Sequence, residues 1–218
     1  MIKERPILFS APMIRAIQSS NKSQTRRIAK EFTDDHAGII KRFPRQHGCK
    51  YGEIGCRLWV RETWATVNSD CGPGFAYRAD GAFIQPKYDG PNYGAGPSFN
   101  YDKYPGDYTM WYSDLLDGAE GHSWKPSIHM PRYVSRILLE ITDISVERLQ
   151  DISEEDAKAE AAPCCVMDNE GKFYESTNGT YRCGFAGLWA HINGPDSWDA
   201  NPFVWKISFR DISSVVRL

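Results

Sequence analysis

The chain has 218 residues, of which 41% are hydrophobic and 13% are aromatic. This apolar content suffices for a folded core and excludes wholesale disorder. No apolar run approaches the roughly 20 residues that a membrane-spanning helix needs. The N-terminus carries Lys3, Glu4 and Arg5 before a short apolar stretch, which is unlike a signal peptide. We therefore expect a cytoplasmic protein with no membrane partner.

The net charge of −2 conceals an asymmetry along the chain. Residues 1–61 contain 13 lysines and arginines and five acidic residues, a balance of +8, whereas the remainder carries −10. A basic segment can form an electrostatic surface for phosphates. Alternatively, both segments belong to one domain in which the charges face each other or water. Charge alone leaves both interpretations open.

The cysteines do not predict a metal site. They lack the paired C-x-x-C spacing of a zinc knuckle, and disulfides are not expected in a reducing compartment. The six are Cys49, Cys56, Cys71, Cys164, Cys165 and Cys183. We expect small, half-buried side chains and no cofactor.

The predicted elements begin with a strand, a helix and a second strand. Residues 7–9 are apolar, and Met13, Ile14 and Ile17 then fall on one face of a helix that Ser10 can cap. A polar loop follows, and residues 25–28 are predicted to be extended.

Residues 57–63 alternate with the period of a strand. If Leu58 and Val60 face the core, Glu62 shares that face. A buried carboxylate must be paired or stand at the mouth of a cavity. Alternatively, the strand ends early and Glu62 turns into solvent. The pattern favours a cleft, and residues 75–79 predict a further strand.

Two long irregular inserts are predicted, at about residues 81–126 and 163–184. The first is too long for an ordinary connection, and its aromatic residues argue against disorder. These residues either stack on nucleobases or pin the loop to the core. They are Tyr88, Tyr93, Phe99, Tyr101, Tyr104, Tyr108, Trp111 and Tyr112.

The second half adds strands and two helices. Residues 133–149 are rich in Ile, Leu and Val, and Ser153 followed by three acids predicts a helix start. Residues 185–192 have helical spacing, and residues 203–209 alternate clearly as a strand. This order predicts a β-rich α+β fold, a barrel with peripheral helices, as one domain over residues 1–218.

The informative motif is the basic run from Lys22 to Arg27, which alone is typical of a solvated turn. The start of the chain resembles the ASCH domain of the PUA-like superfamily, whose signature is G-x-K-x-x-E-x-R. Lys22 and Arg27 match this signature, whereas Ser20 replaces its glycine and Thr25 its glutamate. Residues 151–154 and the aromatic final strand also match, and the resemblance extends to a phage and prophage subgroup.

One ASCH branch is an amidohydrolase that deacetylates N4-acetylcytidine with a lysine, a threonine three residues on, and a glutamate in a later helix. By register these residues correspond to Lys22, Thr25 and Glu160. The resemblance implies that Thr25 attacks the acyl carbon, that an uncharged Lys22 acts as its base, and that Glu160 relays the proton or orients the lysine.

Other ASCH and PUA-like proteins bind RNA or act as ribonucleases. Here the candidate phosphate contacts are Arg26, Arg27, His129 and Arg132. His129 is either an acid or base or a structural residue. Glu62 and Trp64 are expected to line the cleft, where they suit the edge and face of a nucleobase. The partner is thus expected to be RNA or a modified nucleoside. The alternatives to a hydrolase are a non-catalytic RNA- or DNA-binding module, a ribonuclease, and a phage accessory protein that binds another protein.

Overall fold

A computed structural model describes residues 2–43, 45, 48–91, 97–118, 123–168 and 170–214. The α-helices are α1 (Ala11–Gln18), α2 (Ala37–Arg42), α3 (Tyr112–Asp117), α4 (Glu154–Ala159) and α5 (Tyr181–Asn193). The strands are β1 (Glu4–Leu8), β2 (Gln24–Ile28), β3 (Arg57–Arg61), β4 (Trp64–Val67), β5 (Gly74–Tyr77), β6 (Phe83–Ile84), β7 (Leu138–Arg148), β8 (Cys165–Met167), β9 (Phe173–Glu175) and β10 (Phe203–Asp211). Within these ranges, no helix has the length and apolar character needed to cross a membrane.

The strands form a five-stranded sheet in the order β1-β3-β7-β10-β2, a three-stranded sheet β4-β5-β6, and the hairpin β8-β9. The protein is therefore a strand-rich α+β fold, as the sequence predicts. Among the described strands, no closed barrel is found, so the barrel stays a prediction.

The chain divides into two compact units. The first comprises Met1–Arg5, Ala16–Leu58 and Leu138–Leu218, and the second comprises Pro6–Arg15 and Trp59–Ile137. Three of the four boundaries fall inside β1, α1 and β3, and the fourth lies at the start of β7. The prediction of one domain is not decided by this division.

In the first unit, β10 lies between β7 and β2 and pairs antiparallel with both. Its side chains alternate between two faces of the sheet. Val204 lies on one face and packs with Phe185 and Trp189 of α5. Trp205 and Ile207 lie on the other face, and both are fully buried. The clear alternation in residues 203–209 thus reflects one fully buried face, whereas the other face is buried at Val204 and only half-buried at Lys206 and Ser208.

In the second unit, the first insert is anchored by aromatic side chains. Phe99, Tyr104 and Tyr108 are buried in a cluster with Trp64 and Phe75 of the three-stranded sheet. Of the other insert aromatics, Tyr101 and Trp111 are exposed and Tyr93 lies outside the described residues. The buried rings therefore pin the insert, which is one of the two roles expected for them.

Candidate functional site

The end of α1 fixes the position of Lys22. The Ser20 amide donates to the Ile17 carbonyl (2.9 Å) and the Asn21 amide to the Ala16 carbonyl (2.8 Å), the pattern of a Schellman cap. Ser20 has a φ of 61°, a left-handed conformation that favours glycine. The ASCH signature has glycine at this position. The cap turns the chain so that Lys22 lies two residues before the start of β2.

A second cap of the same kind fixes Glu160 at the end of α4. The Ala161 amide donates to the Lys158 carbonyl (2.9 Å), and the Ala162 amide to the Ala157 carbonyl (3.1 Å). Ala161 occupies the left-handed position, with a φ of 59°. Two helix ends, each closed by a non-glycine residue with positive φ, thus supply the candidate lysine and glutamate.

Lys22 and Glu160 form a buried ion pair. The Lys22 Nζ lies 2.7 Å from Glu160 Oε2 and donates a second bond of 2.7 Å to the Glu160 main-chain carbonyl. Lys22 is 3% exposed and Glu160 4% exposed. Burial lowers the pKa of Lys22 because it disfavours the ammonium, while Glu160 acts in the opposite direction. Such an amine is a candidate proton acceptor.

Arg26 connects this pair to further charges. Its Nη1 lies 3.3 Å from Glu160 Oε1, its Nη2 lies 2.8 Å from Asp156 Oδ2, and its Nε lies 2.8 Å from Glu147 Oε1. Lys206 Nζ also binds Asp156 Oδ2, at 2.5 Å. Together with Lys22, these residues form a network of three cations and three carboxylates, which we call the charge network.

Thr25 lies on the opposite face of β2 from the charge network. Successive side chains of a strand point to opposite faces, so Thr25 points away from Arg26. In the sheet Thr25 pairs with Ile207, which pairs with Ile144 on its other side. Thr25 is 3% exposed and lies among buried apolar side chains. The structure brings Lys22 and Glu160 together, and it places Thr25 on the face with Ile207.

Arg27 shares the face of Thr25 and pairs in register with Trp205 of β10. It is half-buried, in contrast to the fully buried Arg26. The two candidate phosphate contacts of β2 therefore lie on different faces of the sheet.

In the second unit, β3 ends at Arg61, one residue before Glu62, yet Glu62 is 2% exposed and is paired, as expected for a buried carboxylate. Arg136 binds both Glu62 oxygens at 2.8 Å. The same guanidinium binds Asp80 at 2.8 and 2.9 Å and lies 4.1 Å from the centre of the Tyr77 ring. Both carboxylate oxygens of Glu62 are thus engaged by Arg136.

The other sequence candidates of the second unit have different environments. Trp64 is buried, and the Lys125 ammonium lies 4.8 Å from its ring centre. His129 is exposed in a 3₁₀ turn, Ser127–His129, and Arg132 is half-buried at the start of the next, Arg132–Val134. Trp64 therefore belongs to the core, whereas His129 is accessible to a ligand.

Sequence reasoning missed Glu147, Asp156 and Lys206 as members of the site. A usable signal was the alternation of β2, β7 and β10, since Arg26, Lys206 and Glu147 occupy polar positions on one face. For Asp156, the sequence showed only an acidic residue in the first turn of a helix, which does not point to a site. Among the described residues, no group of three or more His, Cys, Asp or Glu side chains is arranged to hold a metal ion.

Comparison with known proteins assigns no family, because no family model, no curated protein and no solved structure matches the chain. The site therefore rests on its own geometry, and the ASCH resemblance stays a hypothesis.

Proposed function

We propose that this protein is an ASCH-type, PUA-like protein that binds RNA or a modified nucleoside and hydrolyses the acyl amide of N4-acetylcytidine. The observation that carries the proposal is the buried contact between Lys22 and Glu160. These residues have the types and register of the lysine and glutamate in the amidohydrolase branch. Lys22 and Glu160 are 138 positions apart in the sequence, and their side chains are in contact, which the proposed chemistry requires.

In the proposed reaction, the uncharged Lys22 amine removes a proton from the nucleophile as it attacks the acetyl carbon. Glu160 holds the resulting ammonium through Oε2. When the bond between the acetyl carbon and N4 breaks, the proton passes to the departing amine of cytidine. One water is consumed, and the products are cytidine and acetate.

The nucleophile is the open element of this proposal. The family register assigns it to Thr25, which then forms an acyl ester that water hydrolyses. The position of Thr25 on the opposite face of β2 from Arg26 favours a water molecule activated by Lys22. Thr25→Val distinguishes the threonine nucleophile from the water nucleophile, because it removes the hydroxyl and keeps the shape of the side chain. Loss of turnover supports Thr25, and retained turnover supports water.

The proposal is tested by incubating the protein with N4-acetylcytidine and measuring cytidine by chromatography. We expect Lys22→Met and Glu160→Gln to lower kcat/KM by about 100-fold or more, the usual contribution of a general base. Lys158→Met is the matched control, since Lys158 is exposed on the same helix as Glu160. Full turnover in Lys22→Met contradicts the proposed role of the lysine.

A non-catalytic nucleic-acid-binding module is the second candidate. It is favoured by the exposure of His129, a candidate phosphate contact, and it needs no chemistry from the charge network, in which every member already has an oppositely charged partner. This function predicts binding of a labelled oligonucleotide that weakens steeply between about 50 and 200 mM salt, with no product formed. Fluorescence anisotropy at the two salt concentrations measures it.

A further inference from the structure

We propose that Arg26 is a positioning residue that holds the Glu160 carboxylate so that one oxygen faces Lys22. This inference goes beyond the proposed function in naming how the pair is kept in place, and its catalytic arm rests on that function. The sequence offered Arg26 as a phosphate contact, and the geometry points to a different role.

The Arg26 side chain has no exposed surface. Its guanidinium donates hydrogen bonds to Glu147, Asp156 and Glu160 and a weaker one of 3.5 Å from Nη1 to Gln24, and Nη2 also lies 2.7 Å from Glu147 Oε1. The Phe185 ring lies 5.9 Å from the guanidinium carbon. A phosphate could reach this group only by displacing a carboxylate, so Arg26 is built to bind inside the protein.

The two Glu160 oxygens are divided between two cations. Oε1 accepts from Arg26 and Oε2 accepts from Lys22. A planar guanidinium fixes the orientation of a carboxylate, whereas an ammonium is a point charge that does not. Arg26 is itself held by Asp156 of α4 and by Glu147 of β7. The arginine therefore ties the helix end that carries Glu160 to the sheet whose strand β2 begins two residues after Lys22.

Burial has the largest effect on the pKa of Lys22 and lowers it, and the neighbouring charges add to this effect or oppose it. The charges that act on Lys22 are Glu160, which favours the ammonium, and Arg27 and Arg26, which disfavour it. Loss of Arg26 removes a positive neighbour and leaves the whole charge of Glu160 to Lys22. We therefore expect the pKa of Lys22 to rise in Arg26→Met.

The experiment follows the Lys22 side chain by NMR in protein labelled with ¹³C-lysine, titrated from about pH 7 to 11, a range that brackets a lysine shifted downward by burial. The titration midpoint of the Lys22 Cε signal is expected at higher pH in Arg26→Met than in the original protein. Arg210→Met is the control, because it removes an exposed arginine whose Nη2 lies 2.7 Å from Glu140 on the same sheet. An unchanged midpoint in folded Arg26→Met overturns the inference.

Arg26→Lys separates positioning from charge. It keeps the positive charge, but one ammonium cannot meet Glu160, Asp156 and Glu147 together. We expect kcat for N4-acetylcytidine to fall about 100-fold in Arg26→Met and to stay well below the original value in Arg26→Lys, with KM unchanged. Full recovery in Arg26→Lys overturns the positioning role. If Arg26→Met does not fold, the titration of Lys22 in Arg26→Lys carries the test, and a midpoint equal to that of the original protein is the contradicting result.

The two proposals fail in different ways. If the original protein releases no cytidine, the proposed function fails, while the Lys22 titration still decides the role of Arg26. If turnover is present and the Lys22 midpoint does not depend on Arg26, the inference fails alone.

Discussion

Ser20 and Ala161 carry side chains at positions whose backbone favours glycine. Their φ values are 61° and 59°, and each closes the helix end that supplies one member of the Lys22–Glu160 pair. A left-handed residue with a Cβ costs roughly 1–2 kcal/mol. The site thus contains local backbone strain on both sides, which is typical of functional sites.

Relief of this strain at Ser20 is measurable. Ser20→Gly is expected to raise the free energy of unfolding by about 1 kcal/mol, because glycine adopts positive φ without the Cβ clash. Ser19→Gly is the control, and there we expect a small loss, since Ser19 does not have a positive φ. Urea denaturation monitored by circular dichroism gives both values. A destabilised Ser20→Gly variant contradicts this account of the cap.

Ionisation of the buried Tyr77 hydroxyl is expected to contribute to the loss of stability at alkaline pH. Its hydroxyl is buried and donates to the Val134 carbonyl at 2.7 Å, and burial raises its pKa well above the ordinary value of 10. The unfolded chain releases this proton near pH 10, so the stabilising contribution is present below about pH 10 and is lost as the pH rises further.

In Tyr77→Phe we expect a loss of about 1 kcal/mol at about pH 7 from the missing hydrogen bond. Above about pH 10, its stability is expected to fall less steeply than that of the original protein, by up to about 1.4 kcal/mol per pH unit. Tyr101→Phe, at an exposed position, is the control. Parallel pH profiles for the original protein and Tyr77→Phe are the contradicting result.

Single residues were predictable where the local pattern decided their environment. Glu62 was expected to be paired or at a cavity because it shares a face with Leu58 and Val60. Its partner Arg136 was not predictable, because the two residues are 74 positions apart and local periodicity carries no information on contacts between distant segments. Strand alternation predicts only that Thr25 and Arg26 point to opposite faces of β2. The register of β2 against β10 shows which residues share each face: Ile207 shares the face of Thr25, and Lys206 shares the face of Arg26.

At the scale of elements, α4 and β10 were predictable because their signals are local. Ser153 caps α4 through a bond from the Asp156 amide, and β10 alternates between buried and half-buried positions from Trp205 to Phe209. The hairpin β8-β9 was missed because its strands have three residues each, too few to show a period. The short helix α2 was missed because it lies in a polar segment with little helical spacing.

The packing of α5 depends on a glycine. A Cβ at Gly184 would lie 1.8 Å from the Pro163 carbonyl oxygen and 2.8 Å from its carbon, so the helix approaches this backbone more closely than any side chain allows. Gly184→Ala is expected to lower the free energy of unfolding by about 3 kcal/mol, the upper part of the range for overpacking.

Gly38→Ala is the matched control for Gly184→Ala. Gly38 lies in α2, and no neighbouring atom comes within 4 Å of the place that a Cβ would take, so alanine there is expected to stabilise by about 0.5–1 kcal/mol. Thermal denaturation of both variants checks the contrast. Equal melting temperatures contradict the close approach of α5 to Pro163.

For the whole molecule, the division into two units makes a prediction about cooperativity. Domain boundaries usually fall in exposed linkers, whereas three of the four boundaries here fall inside β1, α1 and β3 and the fourth lies at the start of β7. We therefore expect one unfolding transition, with equal calorimetric and van't Hoff enthalpies. Two separate transitions by calorimetry would show two domains instead of the predicted one.

The charge network also constrains how this sequence can diverge. Arg26 has no exposed side-chain surface and pairs with Glu147, Asp156 and Glu160, so its loss takes a buried cation away from three carboxylates at once, at about 3–5 kcal/mol. Paired replacements avoid this penalty. Homologues that have lost the arginine at position 26 are therefore expected to have lost a carboxylate at position 147 or 156 as well. Covariation of these positions across an alignment is the evolutionary trace that such a network leaves.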